Sequence, residues 1–189
     1  MSAVEKRYES FKSLLNKSIL LAHKISEYSQ TTGEKFDGLV VIPRGGFYPA
    51  MVISRMFHLE APAIISASIT SYAHDSEVSA GKFKKGQVPL VTQVKGLSWL
   101  VVDDVFDTGK TIQEVSDDLL AHGAKSVKSA CVYYKPGKRE VKLVPDFFIE
   151  EFDGWVDFAW EKDLEGLLNL NEQQIFKDVS FVAGKKGEL

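Results

Sequence analysis

From residue 4 to residue 29 the apolar positions Val4, Tyr8, Phe11, Leu15, Ile19, Ala22 and Ile25 recur at steps of three and four, the stripe of an amphipathic helix with one buried face. Gly33 stands where such a helix would end. Beyond it the period changes. Short continuous apolar runs (38–42, 63–65, 97–102 and 127–132) alternate with helical patterns over 47–58 and 110–122. Runs without polar alternation suit strands buried on both faces, and their alternation with helices predicts an α/β fold, a mostly parallel sheet with helices on both faces.

Two stretches break this rhythm. Ser71 to Gly86 is polar, with Gly81, Lys82, Lys84, Lys85 and Gly86, and reads as a mobile flap. The following Val88, Leu90, Val91 and Val94 suit edge strands. Between Asp146 and Glu161 the chain is dense in aromatics, Phe147, Phe148, Phe152, Trp155, Phe158 and Trp160, which suits a packed subdomain or a stacking surface. No repeat, low-complexity segment or linker divides the chain, so 189 residues read as one domain, and 162–189 carries the least information.

Composition narrows the function classes. A formal net charge of −3, from 23 basic and 26 acidic side chains, gives no whole-protein positive field for a nucleic-acid backbone. A small anionic ligand would need a local trap. Cys131 is the single cysteine, which excludes an intramolecular disulfide and fits a reducing compartment; within Ala130-Cys131-Val132 it reads as a small buried hydrophobe. The mixed charges from Glu5 onward, the lack of a long apolar run and a C-terminus without a retention address lead to the expectation of a cytoplasmic protein.

The trap is legible in Leu100-Val101-Val102-Asp103-Asp104-Val105-Phe106-Asp107-Thr108-Gly109-Lys110-Thr111. An apolar strand ends in acids and turns through Thr-Gly-Lys-Thr into a helix. Ligands of open parallel sheets bind just beyond the carboxyl ends of strands. Here free backbone N–H groups at a helix N-terminus would hold a phosphate, Gly109 would permit close approach, and Thr108 and Thr111 would add hydroxyl donors. Asp103, Asp104 and Asp107 crowd that anion, which is unfavourable unless hydroxyls, cations or protons compensate; a sugar phosphate with Mg²⁺ supplies all three. Against the rival Walker A loop, suggested by Gly109-Lys110-Thr111, Asp104 stands where that motif needs its first glycine. In Pro43-Arg44-Gly45-Gly46, after the first sheet strand, the glycines let backbone N–H groups approach an anion and Arg44 offers a fork for phosphate oxygens.

The acid-rich string resembles the motif that binds phosphoribosyl pyrophosphate (PRPP) in type I phosphoribosyltransferases, and the chain is similar, outside its N-terminal helix and tail, to the microbial xanthine-guanine and hypoxanthine members. The resemblance spans about residues 38–161. It implies the type I phosphoribosyltransferase fold with a small aromatic-rich hood over about 133–165, joined by the N-terminal region. It further implies that Asp103 and Asp104 hold the ribose hydroxyls and the Mg²⁺ region, that residues 107–111, Lys110 included, bind the 5′-phosphate, and that Asp107 accepts a proton from the base. Arg44, Gly45 and Gly46 would hold the pyrophosphate, and Ser71-Tyr72 would open the flexible loop that closes over the site. In Trp155-Val156-Asp157-Phe158-Ala159-Trp160-Glu161 the family pattern implies stacking of the purine on Trp155, with Val156 beside it, and a metal contact from Glu161. Lys135 would donate to the 6-oxo group. Ala159 stands where close relatives carry proline, and Asp157 falls at a variable position.

The resemblance thus implies a cytoplasmic Mg²⁺-dependent purine salvage enzyme that transfers the ribose 5-phosphate of PRPP to xanthine, guanine or hypoxanthine and releases pyrophosphate. It would act as a homodimer or homotetramer, without nucleic acid or membrane partners. The alternatives are a regulatory PRPP-binding protein without catalysis, an enzyme for another base, and a plain sugar-phosphate-binding domain. Retained Asp107 and Trp155 argue against the first, and a lysine and tryptophan hood fits adenine or a pyrimidine poorly.

Overall fold

The computed structural model describes residues 5–57, 64–67 and 94–161. In chain order these form β1 (Lys6–Glu9), α1 (Phe11–Thr32), β2 (Gly38–Val41), α2 (Phe47–Met56), β3 (Ile64–Ser66), β4 (Ser98–Phe106), α3 (Lys110–Ala121), β5 (Ser126–Tyr134), β6 (Phe147–Glu151) and β7 (Trp155–Phe158). The chain divides into two compact units, Lys12–Gly154 and the two chain ends, Met1–Phe11 with Trp155–Leu189. Ser71, Tyr72, the polar flap, the expected edge strands up to Gln93 and the 162–189 tail lie outside the described residues.

The larger unit is built on a five-stranded sheet in the order β3-β2-β4-β5-β6, parallel at every pairing. All four residues of β2 are buried, which is why its sequence lacks polar alternation. On one face Val40, Trp99 and Val101 pack with Ile112, Val115 and Leu119, the apolar stripe of α3. Leu39, Val41, Leu100 and Val102 alternate to the opposite face and are equally buried. Helix α2 packs on β2 and β4. Helix α1 reaches β6, where the Tyr28 ring meets Phe147 edge-on at 5.2 Å and Lys24 Nζ donates to the Phe148 carbonyl at 2.9 Å. Cys131 is buried in the centre of β5, as its apolar neighbours imply.

The strand order positions the site. The chain moves outward from β2 to β3, then returns to lay β4 on the other side of β2. Winding therefore reverses between β2 and β4, which opens a crevice at their carboxyl ends. The Arg44 loop follows one of these strands, and the acids lie at the end of the other.

Two expectations need correction. The helix expected over 4–29 begins only at Phe11: Lys6–Glu9 form β1, which pairs in parallel with β7, Lys6 opposite Trp155 and Glu9 opposite Phe158. The buried face of α1 is also different. Leu14, Leu21, Ala22 and Ile25 are buried, while Phe11, Leu15 and Ile19 are 45%, 39% and 37% exposed. With Leu14-Leu15 and Ile19-Leu20-Leu21-Ala22 in one helix, several stripes satisfy the same spacing, and packing selects one. The helix continues to Thr32, where Gly33, at φ 75°, donates its N–H to Ser29 and ends it.

The aromatic stretch is divided. Phe147 and Phe148 lie on β6 at the edge of the sheet, with Phe147 buried. In the unit of the chain ends, Phe158 stacks on Trp160 with ring centroids 4.3 Å apart, and Phe11 leans on Trp160 at 6.5 Å.

Candidate active site

At its carboxyl end β4 exchanges valines for acids. Asp103 Oδ1 accepts the Asp104 N–H and Asp104 Oδ1 accepts the Val105 N–H, both at 2.9 Å, so each carboxylate is held against the following peptide. Burial pushes the Asp103 carboxyl well above the usual carboxylate range, and the neighbouring Asp104 charge adds to this; burial raises Asp104 as well.

The loop after β2 is pressed onto this end of β4. A Cβ at Gly45 would stand 2.0 Å from Asp104 Oδ2, and one at Gly46 would stand 2.5 Å from the Ile42 carbonyl oxygen and 2.6 Å from that of Val102. Only glycine permits that approach. The Pro43–Arg44 peptide is cis, Arg44 is exposed, and α2 starts from this turn with no side chain capping its first N–H groups. The Gly45–Gly46 turn that follows Arg44 is thus brought against Asp104 and Asp103, although it lies far from them in sequence.

On the other side of the acids the chain turns through Thr108 and Gly109. Gly109 adopts the left-handed conformation at φ 81° and is the N-cap of α3, again without a side-chain cap. At this N-terminus the Lys110 N–H donates to Thr108 Oγ1 over a long 3.4 Å, and an anion can compete for it and for the Thr111 N–H. A pocket of about 70 Å³, the size of one small anion, is lined by Asp103, Asp107, Thr108, Gly109 and Thr111 with Phe106 beneath. The Lys110 side chain lies at the surface, ion-paired with Glu140.

Asp107 is tied to β5 by register. Because β4 pairs Phe106 with Tyr134, the next residues fall side by side, and the Lys135 N–H donates to the Phe106 carbonyl at 2.9 Å. Lys135 Nζ then donates to Asp107 Oδ2 at 3.0 Å; the lysine side chain is 7% exposed and the aspartate 49%. A buried ammonium thus presents itself beside a carboxylate open to a ligand.

Trp155, Val156 and Glu161 belong to the unit of the chain ends. Trp155 is half exposed, its Nε1–H donating to Asp157 Oδ1 at 2.9 Å. The Val156 side chain is buried, its backbone opposite Arg7 in the β1–β7 ladder, and Glu161 is exposed. Sequence reasoning missed the support of the phosphate turn: the Glu140 N–H donates to the Thr108 carbonyl at 2.9 Å, and Val141 lies so close to Gly109 that an added Cβ would come within 2.6 Å of it. No motif marks either residue.

The raised Asp103 carboxyl sets a pH dependence. A carboxyl whose folded pKa exceeds its unfolded value of about 3.9 weakens the fold progressively as pH rises from there through the raised value. Asp103→Asn mimics the neutral acid and keeps the oxygen that accepts the Asp104 N–H. Without metal or ligand it is expected to melt higher than the wild type at about pH 8, the difference vanishing towards about pH 4. A lower melting temperature for the variant at the higher pH would contradict the assignment.

A parallel sheet with a reversal between β2 and β4, a helix N-terminus without a side-chain cap and acids at the crevice define an α/β domain of the kind that takes phosphorylated ligands at such a crevice. The chain belongs to the phosphoribosyl transferase domain family, whose pattern it matches over residues 8–165, and so to the glycosyl-transferring enzymes. It is 31% identical over 140 residues to the xanthine-guanine phosphoribosyltransferase of Nitratidesulfovibrio vulgaris strain DP4, covering 73% of this chain and 77% of that one. Among solved structures, the purine phosphoribosyltransferase of Pyrococcus horikoshii superposes with a TM-score of 0.61 at 26% identity, covering 82% of this chain and 93% of the other. A hypothetical protein from Neisseria gonorrhoeae with bound ppGpp gives 0.69 at 22% identity over 92% of this chain and 99% of its own, a likeness of fold. Among the described residues no helix is long and apolar enough to cross a membrane.

Proposed function

We propose that this chain transfers ribose 5-phosphate from PRPP to a 6-oxopurine, xanthine, guanine or hypoxanthine, and releases pyrophosphate. The observation that carries the reading is the Lys135–Asp107 pair beside the uncapped Thr108–Thr111 turn. It sets a proton acceptor and an oxo-directed donor next to a phosphate trap. The xanthine-guanine activity in the name of the Nitratidesulfovibrio relative supports the same substrate class.

In this reading the N–H groups and hydroxyls of residues 108–111 hold the 5′-phosphate. Asp103 and Asp104 accept hydrogen bonds from the ribose hydroxyls, while Arg44 and the Gly45–Gly46 turn take the pyrophosphate. As a purine nitrogen attacks the anomeric carbon and pyrophosphate leaves, Asp107 accepts the proton that the base gives up. Lys135 has three donors, enough to keep Asp107 and still donate to a 6-oxo group. A 6-amino group offers it no acceptor, so adenine is disfavoured. An exposed indole such as that of Trp155 offers a purine a stacking face worth about 1–3 kcal/mol. Val156, Glu161, Ser71 and Tyr72 join the site on the family resemblance alone. Catalysis is positioning and charge stabilisation rather than covalent chemistry.

Asp103 and Asp104, adjacent carboxylates at the end of β4 that each give one oxygen to a backbone N–H, are all-oxygen donors of the kind Mg²⁺ takes and would hold it, and it would neutralise the departing pyrophosphate. A dimer or tetramer in the cytoplasm completes the reading, the buried single thiol suiting a reducing compartment.

The test is pyrophosphate release by the purified protein with PRPP and Mg²⁺, offering xanthine, guanine, hypoxanthine, adenine and uracil separately. Turnover confined to the oxopurines supports the reading. No turnover with any base, despite PRPP binding, would leave a regulatory protein.

A further inference from the structure

Lys135 opens a turn. Its carbonyl accepts the Lys138 N–H at 3.1 Å, closing Lys135-Pro136-Gly137-Lys138. The proline and the glycine contribute no long side chain to anchor this turn, and one direct tie to β4 is the Lys135 N–H to the Phe106 carbonyl. A further tether comes from the segment after β6. There the Phe152 N–H donates to the Tyr134 carbonyl at 2.9 Å, which sets Asp153 alongside the turn. Asp153 Oδ1 accepts the Gly137 N–H at 2.7 Å, the length of a charge-assisted bond. The carboxylate lies flat against the glycine: a Cβ at Gly137 would come within 2.9 Å of Asp153 Oδ2.

We infer that Asp153 is a positioning residue, whose bond to the Gly137 amide holds the Lys135 turn so that the buried ammonium stays aimed at Asp107 and at the base beside it. The inference rests on the proposed role of Lys135 toward the 6-oxo group. Asp153 touches no reacting atom and acts through the lysine. Its loss frees the turn, lets the ammonium sample other directions, and weakens recognition of the base while the PRPP half of the site is left intact.

Two measurements on the full chain test this. Backbone amide exchange, followed by NMR, is expected to quicken at Gly137 in Asp153→Ala and to stay near the wild type in Asp153→Asn, whose amide oxygen still accepts the bond. In steady-state kinetics Asp153→Ala is expected to raise KM for guanine by about three- to tenfold, the size of one hydrogen bond, with KM for PRPP within about twofold. Asp153→Asn is expected to recover most of that loss. Unchanged Gly137 exchange in the alanine variant would overturn the clasp. Equal rises in both KM values, or no rescue by asparagine, would reduce Asp153 to general support. Lys135→Ala separates the two levels: if it leaves KM for guanine unchanged while exchange at Gly137 still responds to Asp153, the clasp stands and the role given to Lys135 fails.

Discussion

Asp107→Asn is expected to lower kcat by roughly 10²–10⁴-fold, the range of a lost general base, with KM for PRPP nearly unchanged. The exchange is close to isosteric. The asparagine oxygen can still accept the Lys135 hydrogen bond, so the 3.0 Å contact and the packing around it survive. In the proposed reaction, what disappears is the second oxygen's capacity to take a proton from the base as it becomes cationic. The proposed PRPP contacts, in the turn that follows, in Asp103 and Asp104 and in the Arg44–Gly46 loop, are left alone by the substitution. With a half-exposed side chain at 107, the melting temperature should move little. A variant retaining kcat within about threefold would remove Asp107 from the chemistry and leave the pair with Lys135 a structural one.

Gly109→Ala is expected to damage both fold and phosphate binding. At φ 81° an L-residue costs about 1–2 kcal/mol, and the new methyl would enter space already occupied, 2.4 Å from the Phe106 ring and 2.6 Å from Val141. Phe106 is buried to 1% exposure and packed edge-on against Tyr134, so the ring cannot yield without disturbing the α3 face of the core. Together these effects amount to roughly 2–4 kcal/mol, seen as a fall of roughly 5–15 °C in Tm. Because the turn must shift to admit the methyl, KM for PRPP should rise more than KM for the base. Wild-type Tm and kinetics would show that the turn is not held as described.

Much of this architecture is legible in the sequence because buried parallel strands announce themselves. Val40, Val101 and Val102 stand in runs with no polar alternation, and the glycine and threonine turn after β4 carries its own chemistry. Lys-Arg-Tyr-Glu at 6–9 gives no such signal. Its strand character comes from pairing with β7, a tertiary partner that local periodicity cannot see, and Tyr8 falls by coincidence into a helical spacing. Strand β6 ends in Glu150 and Glu151, which an edge position tolerates and a pattern search reads as loop. In the candidate site the acids and glycines were visible by type. The direct contact of Lys135 with Asp107 was not, because it depends on the register of β4 against β5. Asp153 and the Glu140 backbone N–H were invisible for a related reason: the bonds to Gly137 and to Thr108 each engage a peptide group, and such a bond leaves no residue-type signature at that end.

The pairing of β1 with β7 also bears on how the chain matures. Lys6 finds its partner in Trp155, across nearly the whole described length, so the first strand leaves the ribosome long before the strand it must join. The larger unit, whose parallel neighbours β4 and β5 are linked by a single helix, can assemble while β1 still waits. Closure of the unit formed by the chain ends is then a late event in synthesis, with β1 left without its ladder until β7 has emerged.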